Sequence, residues 1–531
     1  MTNGTGGAWT PEQLDPMTLA PRQQRAKTRR FCPTLPQRRE ATRLGMSIDI
    51  QQQLLKQRRT RIVATVGPAS SDGHTLAALI RAGVDVFRLN MSHGTHAGHR
   101  AAYGAIREAA SLCGREVAVL ADLCGPKIRC GLFEGDRIDL VTGSEVLVTT
   151  RQVLGMPGLI PSQYAALHED VRPGARILLD DGNLELRVEA IDGQDVRCHV
   201  VQGGVLKNKK GINLPDVAVS APALTAQDRE DARFSLALSV DYLALSFVRH
   251  ASDILELRAL IAESGSGADT EIIAKIEKPE ALVEIEAILD AADGIMVARG
   301  DLGVELPAES VPFIQSELID RARARCKPVI VATQMLESMI GNPRPTRAEV
   351  SDVSTAVMAG ADAVMLSAET ASGAFPVQAV ATMDRVARQT EAYLWRHGAF
   401  ESILDGPSRP APIPLAEAFA KATSQLSRDL QVRAIFVATH MGDSARRVSS
   451  GRPAAPIIAV SSELRTVRRM CLLWGVVPGA VSPEALQQAD ALARQRVTEL
   501  GLATSGQRIL KVSGFRDEEQ LSSPNIGVLM V

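Results

Sequence analysis

Eight short runs rich in Val, Ile, Leu and Ala recur along this chain with helical segments between them, and that alternation is what most limits its fold. The runs are Ile62–Val66, Val84–Asn90, Val117–Leu123, Tyr242–Phe247, Ile272–Glu277, Gly294–Ala298, Pro328–Thr333 and Ala363–Ser367. Helical patterns such as Thr75–Ala82, Ala97–Cys113 and Ala281–Leu289 separate them. Strand alternating with helix means parallel strands joined by helical crossovers. Eight such repeats close a (β/α)8 barrel, whose chemistry sits at the C-terminal ends of the strands. An open doubly wound sheet gives the same alternation. The barrel is favoured because reactive residue types follow nearly every run rather than one crevice.

One interruption breaks the pattern. Residues 131–215 read as an inserted β domain, with alternating patches Arg176–Leu179, Leu184–Val188 and Val196–Val201 and the turn pairs Asp181-Gly182 and Asp192-Gly193. Placed after the third run, it is positioned to act as a lid that excludes water. Residues 59–130 and 216–400 then form the barrel, and a Pro-rich linker near Asp405–Pro414 leads into a further α/β unit over 415–531. Residues 1–58 lack apolar periodicity and read as a disordered or helical extension, for which Met46 is an alternative start.

Composition narrows the classes. The chain has 531 residues, enough for roughly three domains. A formal charge of −2 gives no electrostatic case for nucleic acid or an anionic membrane. No apolar run reaches the ~18 residues of a membrane span. The 7 cysteines form no CxxC pair, which points to a reducing cytoplasm and away from zinc.

The chemistry concentrates in EIIAKIEKPEALVEIEAILDAADGIMVARGDLG, Glu271–Gly303. Lys275 and Glu277 are two apart on a strand, so they face the same way. Arg299, Gly300 and Asp301 follow the next run. Two carboxylates with space between them suit Mg²⁺ (or Mn²⁺), which keeps the rest of its shell for water and substrate phosphate. The neighbouring cations can offset developing negative charge. Separately, Thr346 and Glu349 have capping-box spacing, which leaves Arg344 and Arg347 without a role.

From about Arg59 onward the chain resembles the pyruvate kinase family. The motifs are RIVATVGPAS, VDVFRLNMSHG, DLCGPKIR, KKGINLP, IIAKIEKPEAL, IMVARGDLGVELP, ATQMLESMI followed by PRPTRAEVSDV, and MLSAETASGAFP, in that order. The resemblance implies a barrel, an inserted β-barrel lid and a C-terminal α/β regulatory domain, usually in a homotetramer. It implies phosphoryl transfer from phosphoenolpyruvate to ADP, giving pyruvate and ATP. On it, Lys275 matches the catalytic lysine, Arg88 a substrate-phosphate contact, and Glu277 and Asp301 the divalent-metal ligands. Arg299, Gly300 and Asp301 match the substrate carboxylate cradle, and Thr333 the hydroxyl near the carbon that is protonated. Asn90, Ser92, His93, Arg129 and Lys210 match nucleotide contacts. The alternatives are a non-catalytic metabolite-sensing paralogue, and a Mg²⁺-dependent enolate aldolase, which leaves the lid and Lys210 unexplained.

Two departures carry expectations of their own. The family's monovalent-cation site matches Asn90, Ser92, Asp122 and the carbonyl of Leu123, but Lys127 stands where potassium-dependent members have a glutamate. An ammonium there can replace the charge of K⁺, so turnover without K⁺ is expected. In the C-terminal unit, Thr439, Gly442 and Ser444 resemble the effector phosphate loop, whereas Ser513–Glu519 lacks the basic, glycine-rich character expected for a bisphosphate. A monophosphate effector, or none, is expected.

Overall fold

The computed structural model describes residues 58–265, 267, 269–396, 413–514 and 523–531. The N-terminal extension, most of the Asp405–Pro414 linker and residues 515–519 lie outside the described residues.

Eight parallel strands close into a barrel in the order β1-β8-β7-β6-β5-β4-β3-β2. They are β1 Arg61–Thr65, β2 Val86–Asn90, β3 Ala118–Asp122, β4 Tyr242–Leu245, β5 Glu271–Ile276, β6 Gly294–Ala298, β7 Val329–Ala332 and β8 Ala363–Leu366. The first and last strands pair from Arg61↔Ala363 to Ala64↔Leu366, which closes the ring. Both faces of each strand are buried. One parity fills the barrel (Val63, Val86, Leu120, Ala244, Ile273, Met296, Ile330 and Met365), and the other packs under the helices (Ile62, Ile272, Ile295 and Val364). The strand rows therefore continue upward as inward-facing polar side chains, and this parity places the site.

The inserted region forms a six-stranded sheet and a two-stranded ribbon around one core that includes Ile138, Val148, Leu186, Val196 and Leu206. Its expected turns are present, with Gly182 at φ 82° and Gly193 at φ 58°, where a Cβ is disfavoured. The C-terminal unit is a five-stranded sheet ordered Val476–Ala480, Ile457–Ser461, Ile435–Ala438, Arg508–Ser513 and Asn525–Met530. Only the last strand is antiparallel to its neighbour.

The C-terminal unit sits under the N-terminal ends of the barrel strands. Tyr242, at the start of β4, donates to the carbonyl of Arg469 at 2.6 Å. Arg446 pairs with Glu271 at 2.5 Å, and Arg452 with Asp362 at 2.8 Å. Residues 58–61 bind this junction from the other side. The Glu391 carboxylate accepts the N–H groups of Arg59 and Thr60, and Arg61 donates to the carbonyls of Leu473 and Val476.

Two local readings change. Ala281–Leu289 is two helices, Pro279–Val283 and Ile285–Ala291, broken at Glu284. Arg299–Asp301 is the first turn of a helix, Arg299–Glu305, rather than an extended strand end. In the C-terminal unit a helix over Leu464–Arg469 tightens into a 3-10 turn over Met470–Leu472. The Thr346 capping box is formed, with Thr346 accepting from the Glu349 N–H. Arg344 and Arg347 are exposed at that helix start.

Candidate active site

The inward row of each strand delivers one or two polar groups to the barrel mouth. β5 runs Ile273, Lys275, Glu277; β2 runs Val86, Arg88, Asn90; β3 ends at Asp122. The Lys275 ammonium lies 2.8 Å from Glu277 Oε1, 2.7 Å from Ser246 Oγ and 3.4 Å from Asp122 Oδ1. Arg88 reaches the other Asp122 oxygen at 2.7 Å and Thr65 Oγ1 at 3.1 Å. The result is a nearly buried row of alternating charge: Arg88, Asp122, Lys275, Glu277.

Burial alone would discharge these groups. It pulls the Lys275 ammonium down, but Asp122 and Glu277 outweigh it and hold the amine well above its ordinary range. Burial pushes the Asp122 carboxyl up, yet Lys275 and Arg88 bring it below its usual value. Glu277 goes the other way. Burial raises it, Lys275 lowers it, and the charge of Asp301 helps keep it raised. Glu277 Oε2 also accepts the Phe247 N–H at 2.8 Å. Asp301 has no ion-pair partner among the described residues.

Two neighbouring carboxylates, one without a counter-ion and one with a raised pKa, fit a divalent cation. Among the described residues there is no cluster of three or more His, Cys, Asp or Glu that could hold a metal. A two-carboxylate site matches Mg²⁺, which leaves most of its octahedron to water and phosphate, better than a closed all-protein cage.

The helix that follows β6 starts at this mouth. The Gly300 N–H donates to Thr333 Oγ1 at 2.7 Å, and Thr333 Oγ1 donates to the carbonyl of Ala332 at 2.6 Å. Thr333 and Gln334 both hold positive φ, at 70° and 54°, a local strain of the kind that collects at functional sites. The Arg299 guanidinium points away from this mouth. It donates to Asp352 at 2.6 Å and to the carbonyl of Thr333 at 2.8 Å, so it braces the strained turn. What Arg299 and Gly300 present to the mouth is backbone.

Under the lid lies a cavity of about 270 Å³ lined by Lys127, Arg129, Lys210, Arg249, Lys278 and Asp301, among others. Lys210 pairs with Asp180 at 2.6 Å, and Arg129 donates to the carbonyl of Lys209 at 3.0 Å. The exposed His93 titrates below its ordinary value, from partial burial and from the charges of Lys127, Arg129 and Arg88. Asn90 Oδ1 accepts the Ser92 N–H at 3.3 Å. Lys127 makes no direct contact with Asp122, but its charge helps lower that carboxyl.

Several residues at this mouth had no assigned role. Thr65 and Ser246 lie on the inward parity of β1 and β4, and strand parity alone finds them. Glu305 accepts from Lys278 at 2.6 Å and from Asn213 of the lid at 3.2 Å, which ties the helix after β6 to the lid. The effector candidates lie elsewhere. The Gly442 N–H donates to Thr439 Oγ1 at 3.0 Å at the head of helix Asp443–Ser450, where Ser444 is buried.

Comparison with known proteins agrees with this geometry. The pyruvate kinase barrel-domain profile matches residues 57–380, and the pyruvate kinase alpha/beta-domain profile matches residues 417–526. A pyruvate kinase of Geobacillus stearothermophilus is 48% identical over 421 residues, covering 79% of this chain and 71% of that protein. One from Agrobacterium vitis is 44% identical over 479 residues, covering 89% and 97%. The crystal structure of a pyruvate kinase from Cryptosporidium parvum superposes with a TM-score of 0.83 at 35% identity, covering 91% of this chain and 97% of that one. A closed barrel, an inserted lid, a C-terminal α/β sheet and these matches over nearly the whole described chain lead to one conclusion: the chain belongs to the pyruvate kinase family.

Proposed function

We propose that Arg88, Lys275, Glu277, Asp301 and Thr333 carry the family's reaction, the transfer of a phosphoryl group from phosphoenolpyruvate to ADP. The observation that supports this most is the buried Lys275 ammonium, held charged between Asp122 and Glu277 at the strand ends. In the transfer, the phosphorus–oxygen bond of phosphoenolpyruvate breaks and one forms to the terminal phosphate of ADP. The electron pair stays on the enolate oxygen until the methylene carbon takes a proton and pyruvate results.

Such a transition state is loose and anionic, so the site has to position it and offset its charge. Arg88 and Lys275 face the phosphoryl oxygens, and Lys275 also offsets the enolate oxygen. The Thr333 hydroxyl, fixed between the Gly300 N–H and the Ala332 carbonyl, stands where the proton is delivered. Backbone around Arg299–Asp301 holds the substrate carboxylate. Arg129 and Lys210 steer the nucleotide phosphates as the lid closes, beside Asn90, Ser92 and His93. Glu277 and Asp301 would hold Mg²⁺ or Mn²⁺, which would supply divalent positive charge to offset that of the phosphoryl group.

The same reading covers the finer expectations. Lys127 supplies beside Asp122 the charge that K⁺ gives in other members, so turnover proceeds without K⁺. Thr439, Gly442 and Ser444 take a monophosphate, and the assembly is a homotetramer. No helix among the described residues is long and apolar enough to cross a membrane. The test is pyruvate formation from phosphoenolpyruvate and ADP with Mg²⁺, with and without K⁺, for wild type and Lys275→Met. Turnover that is lost in the variant supports the assignment. Folded protein without turnover under either salt, effectors included, overturns it and favours a metabolite-binding role.

A further inference from the structure

Ser246 lies one residue beyond β4, is 1% exposed, and touches the reactive lysine directly. Its hydroxyl has one proton, and that proton goes to the Leu123 carbonyl at 2.7 Å. The hydroxyl can therefore only accept from Lys275, across 2.7 Å. The Leu123 N–H is itself bound to the carbonyl of Ala244 at 3.0 Å, so the chain of bonds starts in the β3–β4 sheet. An ammonium has three protons, and Lys275 has three acceptors: Glu277, Asp122 at longer range, and Ser246. Two of the three are carboxylates, and one of them, Glu277, has other work in the reaction. Ser246 is the neutral acceptor, held in a fixed direction.

The next residue extends the same device. Phe247 has φ 55° and gives its N–H to Glu277 Oε2 at 2.8 Å. One dipeptide thus holds the lysine by a side chain and the glutamate by a backbone amide. Gly125, at φ 68°, packs so closely that a Cβ there would lie 2.9 Å from Ser246 Cβ and 2.7 Å from the Phe247 ring. The loop that carries Lys127 and Arg129 is thereby pressed against this dipeptide.

We infer that Ser246 is a positioning residue for phosphoryl transfer: it fixes the direction of the Lys275 ammonium through a one-way hydrogen-bond chain to Leu123. The inference rests on the reading of Lys275 given above. Ser246→Ala should lower kcat about tenfold, the loss of one hydrogen bond to a charged group, with KM for phosphoenolpyruvate within about twofold. Ser246→Thr, which keeps the hydroxyl, should recover most of kcat. A kcat for Ser246→Ala within about twofold of wild type overturns the inference. So does a parallel fall of kcat, both KM values and the melting temperature that Ser246→Thr does not relieve. Lys275→Met is assayed alongside. If it still turns over, the reading of Lys275 is wrong. If it is inactive while Ser246→Ala is fully active, only the role of Ser246 fails.

Discussion

Lys275 Nζ and Glu277 Oε1 lie 2.8 Å apart on one face of one strand, so the amine proposed to offset reaction charge is also the partner of a buried carboxylate. Removing it should cost twice. Lys275→Met should lower kcat by about a hundredfold to a thousandfold, the range seen when one preorganised electrostatic stabiliser is lost. It should also destabilise the fold by roughly 3 kcal/mol, because Glu277 and Asp122 lose their shared cation. Urea unfolding beside steady-state kinetics separates the two effects.

Asp85 organises the opposite end of the barrel. It accepts from Arg58 at 2.9 Å, Arg61 at 3.2 Å and Arg115 at 2.5 Å, and from the Ile62 N–H at 3.0 Å. Burial pushes this carboxyl up, but the three arginines overcome it and hold it at about 2. A depressed carboxyl stabilises the fold above its unfolded value, and the benefit fades as pH falls through the folded one. The pair of values implies about 2 kcal/mol, present above about pH 4 and lost toward pH 2. Asp85→Asn should therefore be destabilised at pH 7, and its deficit against wild type should shrink on acidification. A deficit that does not change with pH would argue against the three-arginine account.

Lys127→Glu should create a need for K⁺. In tetramethylammonium buffer free of sodium, wild type should turn over at a rate close to its rate in K⁺. The variant should be slower by an order of magnitude or more, an effect of at least ~1.4 kcal/mol on the barrier, and K⁺ should restore it. A wild-type enzyme that itself depends on K⁺ would remove the role given to Lys127.

Glu305 joins the helix after β6 to the lid through Lys278 and Asn213. Glu305→Gln weakens the charged contact while keeping the shape. It should raise KM for ADP by about tenfold, the lower end of the ~1.5–3 kcal/mol that a hydrogen bond to a charged group is worth, and should change KM for phosphoenolpyruvate less. Initial rates with each substrate varied in turn distinguish this from a general loss of fold.

The barrel and its mouth were readable because a strand repeats every two residues. Ile273, Lys275 and Glu277 share a face whatever the surroundings, and so do Val86, Arg88 and Asn90. The same rule picks out Ser246 and Thr65, to which the chemical reading gave no role. What the sequence concealed depends on partners far along the chain. Arg299 follows β6 like any site cation, but Asp352, 53 residues later, turns its guanidinium away from the mouth. Strand Val476–Ala480 contains a Pro and a Gly, residues that weaken a strand pattern. It exists because it is an edge strand, where a missing N–H is tolerated. The break at Glu284 interrupts an apolar periodicity that continues across it, so the pattern alone does not show it.

The first described residues of the barrel depend on groups far downstream in the chain. Arg61 is held by the carbonyl of Leu473, 412 residues downstream, and the Arg59 N–H by Glu391, 332 residues downstream. At ~5–20 residues per second, a ribosome needs roughly 20–80 s between emitting Arg61 and emitting Leu473. For most of that interval β1 lacks its barrel neighbour β8, and throughout it lacks its lower anchor. The nascent chain must keep this apolar strand, preceded by Arg58, Arg59 and Thr60, in a holding state until Leu473 has emerged. Basic residues at Arg58, Arg59 and Arg61 would keep that strand soluble during the wait, before they become the rivets of the finished junction.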